Sequence, residues 1–238
     1  FIVNGYFQKN YLDKIFRTFN LITGISSYNL GRDGGEIYKE VLNHPILNKW
    51  VCTNPPDIES DKIIPIPIGF QEPHRPGGNQ KLLSDIQETS LPFEEKQNLI
   101  FLPYHDVTTN PKREKLVNLL SELSFVVAQR EKQSLQEYYN SMNKYKFVIG
   151  LEGRGPDIHR NYESMLVGSV PINIKNVIQK VFKQHKLSTV FLDSWDQLDE
   201  KCFNKILNMQ YSEGVNKSFL SLESHIKFIK EKLYARSD

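Results

Sequence analysis

Residues 147–173 read FVIGLEGRGPDIHRNYESMLVGSVPIN. FVIGL is a short apolar run of the kind that forms a strand covered on both faces, and VPIN is another. HRNYESMLVG between them has the length of a helix and stops at Gly168, as helices do when a left-handed residue closes them. Strand, helix and strand at this spacing make a parallel crossover unit. The connection EGRGPDIHR is longer and more charged than a plain turn requires, so it is the first place to look for a ligand.

The same alternation extends outward from this unit. NLIFLPYH reads as a buried strand and DVTTNPKREKLVNLLSELS as a helix with Pro111 near its first turn. FVVAQR is a strand, SLQEYYNSMNKY a helix and KFVIGLEG the strand already met. After VPINI come a helix in VIQKVFKQH, a strand in TVFLD and a helical tail from WDQLDEKCFNKILNMQ onward. This predicts an α/β chain with a mostly parallel sheet covered on both sides. Residues 1 to about 80 suggest a smaller unit of the same kind. FIVNGYF and LITGISSY are its strands, and YLDKIFRTFNL has helical spacing. GGEIYKEVLNHPILNKWV is helical, with Ile37, Val41 and Leu42 on one face, until Pro45 interrupts. KIIPIPIGF carries Pro65 and Pro67, which predicts an edge strand or an extended segment. EPHRPGGN is a turn-rich connection, and LLSDIQETSLPFEEKQ a short helix or linker. The boundary falls between about 80 and 97, giving domains 1–90 and 91–238.

Composition narrows the class. Of 238 residues, 39% are hydrophobic, and 14 Phe and 11 Tyr supply the bulk of a real core. The 30 basic and 28 acidic side chains are interspersed, with a net charge of +2, so there is no clustered basic face for nucleic acid. Cys52 and Cys202 are too few for a disulfide framework and lack zinc-site spacing, so both are expected to be buried small apolar residues. No run approaches the ~18 apolar residues of a membrane span. The chain begins at Phe1 with a strand already under way, so the natural protein is expected to be longer. The cytoplasm is the favoured compartment, with a secretory lumen the alternative if an upstream segment directs it there.

In open α/β sheets, ligands bind beyond the carboxyl ends of the strands, where helix N-termini present free N–H groups. EGRGPDIHR lies at such an end. Gly153 and Gly155 let backbone approach a ligand, and Arg160 opens the helix, where a cation opposes the dipole unless an anion joins it. Pyrophosphate matches both the guanidinium and the backbone N–H groups. Glu163 follows one turn later, placed to accept hydrogen bonds from ribose hydroxyls; on a solvated face the two would instead form an ordinary i,i+3 pair.

Residues 145–174, YKFVIGLEGRGPDIHRNYESMLVGSVPINI, resemble the donor-binding signature of exostosin-like glycosyltransferases and their bacterial and viral relatives. That signature has a strand, a Gly-containing loop, a D-x-H-R or R-x-x-E step and a small-residue turn before Pro. The α-1,3-fucosyltransferases carry a looser version. Glu152, Asp157, His159, Arg160, Glu163, Gly168 and Pro171 match it. WVCTNPPDIESDKIIPIPIGF is similar to the relatives' segment of a Trp, an Asn-containing turn and a PIPIG strand, so the likeness covers roughly residues 28–175. Arg154-Gly155-Pro156 replaces the Asn or Asp common after the glycine, which leaves the donor open.

The resemblance implies a GT-B-like architecture, two Rossmann-like parallel-sheet domains facing a cleft, here with a small N-terminal domain on the acceptor side. The C-terminal domain would bind a nucleoside-diphosphate sugar as donor substrate and pass its sugar to a carbohydrate or other hydroxyl acceptor. Inversion and metal independence are implied, with no cofactor. Glu152, Gly153, Gly155, Asp157, His159, Arg160 and Glu163 would form the donor site. Arg113, in TTNPKREKL, would be a second phosphate ligand. For the catalytic base, YNLGRDGGE offers Asp33 and Glu36, and GFQEPHRP offers Glu72 and His74; the relatives favour Asp33, with Glu72 the alternative. A non-catalytic module binding a nucleotide-sugar or glycan is the alternative function. A dinucleotide oxidoreductase would need GxGxxG after the first strand and a serine hydrolase GxSxG, and neither motif is present.

Overall fold

The computed structural model describes residues 10–24, 35–211 and 222–234. Within them two parallel sheets form. The first has three strands in the order β1 (Phe19–Thr23), β2 (Leu47–Cys52) and β3 (Ile63–Pro65), with α1 (Ile37–Leu42) in the first crossover. Thr23 pairs with Cys52 and Cys52 with Pro65, so the three carboxyl ends lie level. Among the described residues β3 is an edge strand of this sheet, a position that tolerates Pro65. Trp50 is fully buried at the centre of this sheet and donates through Nε1 to Thr23 Oγ1 at 2.9 Å.

One local expectation fails here. YLDKIFRTFNL makes only a 3-10 turn at Leu12–Lys14 before β1 begins at Phe19. Leu12 is buried but Phe16 is 87% exposed, so the helical spacing does not mark a buried face, and pairing with β2 decides the conformation. The helix does stop ahead of Pro45, as expected: α1 ends at Leu42, and LNKWVC, for which the sequence predicts no strand, becomes the central strand β2. FIVNGYF lies outside the described residues.

The second sheet contains β4 (Gln97–Leu102), β5 (Val126–Ala128), β6 (Tyr145–Ile149), β7 (Val170–Ile174) and β8 (Val190–Leu192). All pairings are parallel, in the order β5-β4-β6-β7-β8. The connections are α3 (Lys112–Ser121), α4 (Leu135–Met142), α5 (His159–Leu166) and α6 (Ile178–Gln184), numbered after α2 (Gln80–Glu88). α7 (Glu200–Leu207) and α8 (Leu222–Tyr234) follow β8. Strand alternation sorts the core. Ile100, Leu102, Phe147 and Ile149 face Leu120 of α3 and Phe203 of α7, whereas Phe101 and Val148 face Ile86 of α2, Met142 of α4 and Leu166 of α5. The sheet is therefore covered on both faces, as its unbroken apolar runs demand. α2, which precedes residue 90, contributes to this second core.

The chain runs from β4 outward to β5, returns to β6 on the other side, and then proceeds to β7 and β8. β4 and β6 are neighbours whose following helices leave in opposite directions. This is the crossover point at which Rossmann-like sheets open a crevice beyond the strand ends.

Candidate functional site

The loops after β4 and β6 meet the segment that follows β3 around a cavity of about 620 Å³. Arg75, Arg113, Arg154 and Arg160 all line it, with Asp157 and Glu163 as the acidic residues among its lining. α5 begins at this cavity. Its N-cap residue, Ile158, brings no side-chain acceptor; the Asn161 amide donates to the Ile158 carbonyl at 3.1 Å, and the amides of His159 and Arg160, with the positive end of the dipole, are left for an anion.

Arg160 is anchored at three of its five N–H groups. Nε donates to Tyr138 Oη at 3.2 Å, Nη2 to the Tyr104 carbonyl at 3.0 Å, and Nη1 to His105 Nε2, leaving one proton on each terminal nitrogen. Its guanidinium also stands 5.8 Å from the centre of the Tyr138 ring, within cation–π range. Tyr138 Oη donates to Glu163 Oε2 at 2.6 Å. Arg160 and Glu163 thus face one cavity, as their spacing predicts, but Tyr138 bridges them. Glu163 is only 7% exposed, so it is not on a solvated helix face.

The partners of His105 settle its tautomer. Nδ1 lies 2.6 Å from the Pro103 carbonyl, which can only accept, and Nε2 meets a guanidinium, which can only donate. The ring is the neutral Nδ1–H form, and burial together with two nearby arginines holds its pKa well below the usual histidine range. Burial also raises the Tyr138 phenol well above its ordinary value, reinforced by the Glu163 charge, so it remains a donor to the carboxylate.

Arg113 reaches the cavity wall, but most of its capacity holds the two loops together. Nε donates to the Glu152 carbonyl (2.9 Å), Nη2 to that of Leu151 (3.0 Å), and Nη1 to the Asp106 carbonyl (3.0 Å) and Thr109 Oγ1 (2.8 Å). One Nη2 proton remains for a ligand. Burial pushes its pKa down to about 10, which still leaves it charged near neutrality. Asn110 adds two bonds from Nδ2 to the Glu152 and Gly153 carbonyls, each 3.2 Å.

Asp157 has an architectural position. It is 2% exposed, and Oδ2 accepts from the Ile68 amide at 2.8 Å and Tyr162 Oη at 2.7 Å, tying α5 to the segment after β3. Desolvation pushes its pKa up to about 6 in spite of these donors. Its own amide donates to Asn54 Oδ1 at 2.7 Å. Asn54 is fully buried with φ +45°, and its amide packs so close to Gly155 that a Cβ there would lie 2.5 Å from Asn54 Cγ. Gly155 is therefore required by this packing.

The remaining candidates separate. Gly153 and His159 line the cavity; Glu152 does not, and its carboxylate accepts from Asn176 Nδ2 at 2.8 Å. Glu72 lies on a smaller neighbouring cavity, held by Arg75 Nε at 2.9 Å. Asp33 lies outside the described residues. His105, Tyr138 and Asn54 are site residues that sequence reasoning missed. The strand-end rule applied to β6 also points to His105 after β4, and Asn54 stands in the Asn-containing turn of the Trp-to-PIPIG segment. Tyr138 had no signal, since one of two adjacent tyrosines on an amphipathic helix carries none. Cys52 is buried, with its thiol pushed up to about 12 by desolvation, whereas Cys202 is only half-buried, contrary to expectation.

Fold and site together define a Rossmann-like α/β protein with an arginine-lined crevice at the crossover of its larger sheet. No protein-family model matches the chain, and no curated protein sequence is significantly similar to it. Among the described residues, no three His, Cys, Asp or Glu side chains gather as metal ligands, and no helix is long and apolar enough to cross a membrane.

Proposed function

We propose that this chain is a glycosyltransferase of GT-B type that moves a sugar from a nucleoside-diphosphate sugar to a carbohydrate or other hydroxyl acceptor, with inversion and without a metal. The observation that carries this reading is the arginine-lined cavity above the uncapped start of α5. About 620 Å³ suits a nucleotide-sized ligand, since small-molecule sites run to roughly 300–1,000 Å³. Arg160 retains a proton on each terminal nitrogen for a diphosphate, and the helix N-terminus adds backbone donors. Glu163 sits one turn further in, where ribose hydroxyls would reach it. In the transfer step these same groups would stabilise the charge that collects on the departing diphosphate. Two parallel sheets meeting at this crevice agree with a donor unit and an acceptor unit, and the likeness of the loop to exostosin-like sequences points the same way.

The test is thermal unfolding in the presence of UDP, GDP, CMP or dTDP, each with and without Mg²⁺. A rise in melting temperature with one diphosphate, independent of Mg²⁺, supports the reading and names the nucleotide. Arg160→Gln should weaken that binding about 10- to 100-fold, the range of a charge-assisted contact. Equal affinity in variant and wild type, or no shift with any nucleotide, counts against the site.

A further inference from the structure

His159 is placed between two cavities. The arginine-lined one holds it on one side, and a second of about 450 Å³, lined by Phe70, Gln71, Glu72 and Pro73, holds it on the other. Ile68, Gln71, Arg75 and His159 belong to both, so these residues are a partition and not a remote wall. The second cavity differs in character. Phe70 and Pro73 offer apolar surface for the C–H face of a sugar ring, and Gln71 and Glu72 offer partners for hydroxyls.

The imidazole is oriented by the chain. Nδ1 of His159 lies 2.8 Å from the Gly69 carbonyl, which only accepts, so Nδ1 carries the proton and the lone pair of the neutral ring is on Nε2. Among the described residues no group bonds Nε2. The carboxylates around it are engaged by other groups of the chain and less well placed to meet an acceptor hydroxyl. Asp157 is buried and holds the Ile68 amide and the Tyr162 hydroxyl. Glu163 is engaged by Tyr138 and lines only the arginine side. Glu72 is paired with Arg75, and a backbone hydrogen bond, helped by that arginine, holds its carboxyl below the usual range.

We propose that His159 is the catalytic base of the transfer and that the second cavity seats the carbohydrate acceptor. This rests on the transferase reading above. The acceptor O–H bond breaks as its proton passes to Nε2, and the oxygen forms a new bond to the anomeric carbon. The anomeric carbon–oxygen bond to the diphosphate breaks, and its electron pair leaves with the diphosphate. The imidazolium then returns its proton to solvent. Glu72, which lines the second cavity together with His159, supplies a negative charge on that side while the imidazolium exists. The bond to Gly69 fixes the donating nitrogen as the orienting partner does in other histidine bases.

The experiment measures nucleoside-diphosphate release from UDP-glucose, UDP-galactose, GDP-mannose and GDP-fucose, with water or mono- and disaccharides as acceptor, by wild type, His159→Asn and His159→Ala. Asn keeps a donor for the Gly69 carbonyl but has no proton acceptor at the Nε2 position. The expected result is a loss of kcat of at least about 100-fold in His159→Asn, with the thermal shift by the matching nucleoside diphosphate retained. Added imidazole should restore part of the rate to His159→Ala, which a structural role would not produce. A wild-type rate in His159→Asn, loss of nucleotide binding in parallel with rate, or absence of imidazole rescue overturns the base assignment and leaves the transferase reading standing. No release by wild type from any of these donors overturns the transferase reading, and the base assignment with it.

Discussion

Replacing Gly155 by Ala tests whether the loop is held as a rigid part of the site. The new Cβ would lie 2.5 Å from Asn54 Cγ, 2.6 Å from Oδ1 and 2.7 Å from Nδ2. The Asn54 amide has no room to yield, because the residue is fully buried at φ +45° and its Oδ1 holds the Asp157 amide at 2.7 Å. Overpacking of this kind costs about 1–3 kcal/mol, and losing the hydrogen bond adds about 1. The expected total of about 2–4 kcal/mol lowers Tm by roughly 5–15 °C for a chain of this size. Circular dichroism melts would read it directly. Asn54→Gly removes the obstructing amide while keeping a residue that accepts positive φ. In that background Gly155→Ala should cost less than about 1 kcal/mol, and the difference between backgrounds is the coupling energy. A Tm within about 2 °C of wild type in Gly155→Ala, or an equal cost in both backgrounds, would refute the argument.

Two further outcomes follow from the same geometry. Asp157 has a folded-state pKa of about 6 against an ordinary 3.8. The folded chain therefore holds its proton more tightly, and this group's stabilising contribution is complete below about pH 4 and lost as pH rises through about 6. The carboxamide of an Asp157→Asn variant stays neutral throughout, so its stability relative to wild type should improve by up to about 3 kcal/mol between pH 4 and pH 7. Urea melts across that range would show a constant difference if the idea is wrong. Tyr138→Phe keeps the ring beneath Arg160 but removes the donor to Glu163, leaving a carboxylate that is only 7% exposed without that bond. It should destabilise the chain by about 1–3 kcal/mol and reduce the thermal shift by nucleoside diphosphates. Unchanged stability in the Tyr138→Phe variant would remove Tyr138 from the site.

How much of this was legible varies along the chain. α4 is announced by Ser134 and Glu137, which form a complete capping box, and α5 by Gly168, whose φ of +72° closes it. The strands β4, β6 and β7 are visible as apolar runs because both faces of the sheet are covered. In the first 80 residues such signals conflict. Phe16 fits a helical pattern yet is solvent-exposed, and LNKWVC is too short for periodicity to separate strand from helix. Of the site, Arg160 and Glu163 were readable because they share a helix face. Their connection through Tyr138 was not, because that residue lies on a different helix.

The alternation of strands and helices from residue 98 onward was written in the residues themselves, as was the position of EGRGPDIHR at a strand's carboxyl end. Those properties depend on local periodicity and turn chemistry, which nearest neighbours set. Folding in three dimensions was needed to place β4 beside β6, so that His105 and Arg113 meet Arg160 and Gly153. It also joined Asn54 to Asp157 across 103 residues and set His159 against Gly69 across 90. Strand order and loop docking follow from which buried surfaces find each other. The apolar pattern states that a face is buried without stating against what.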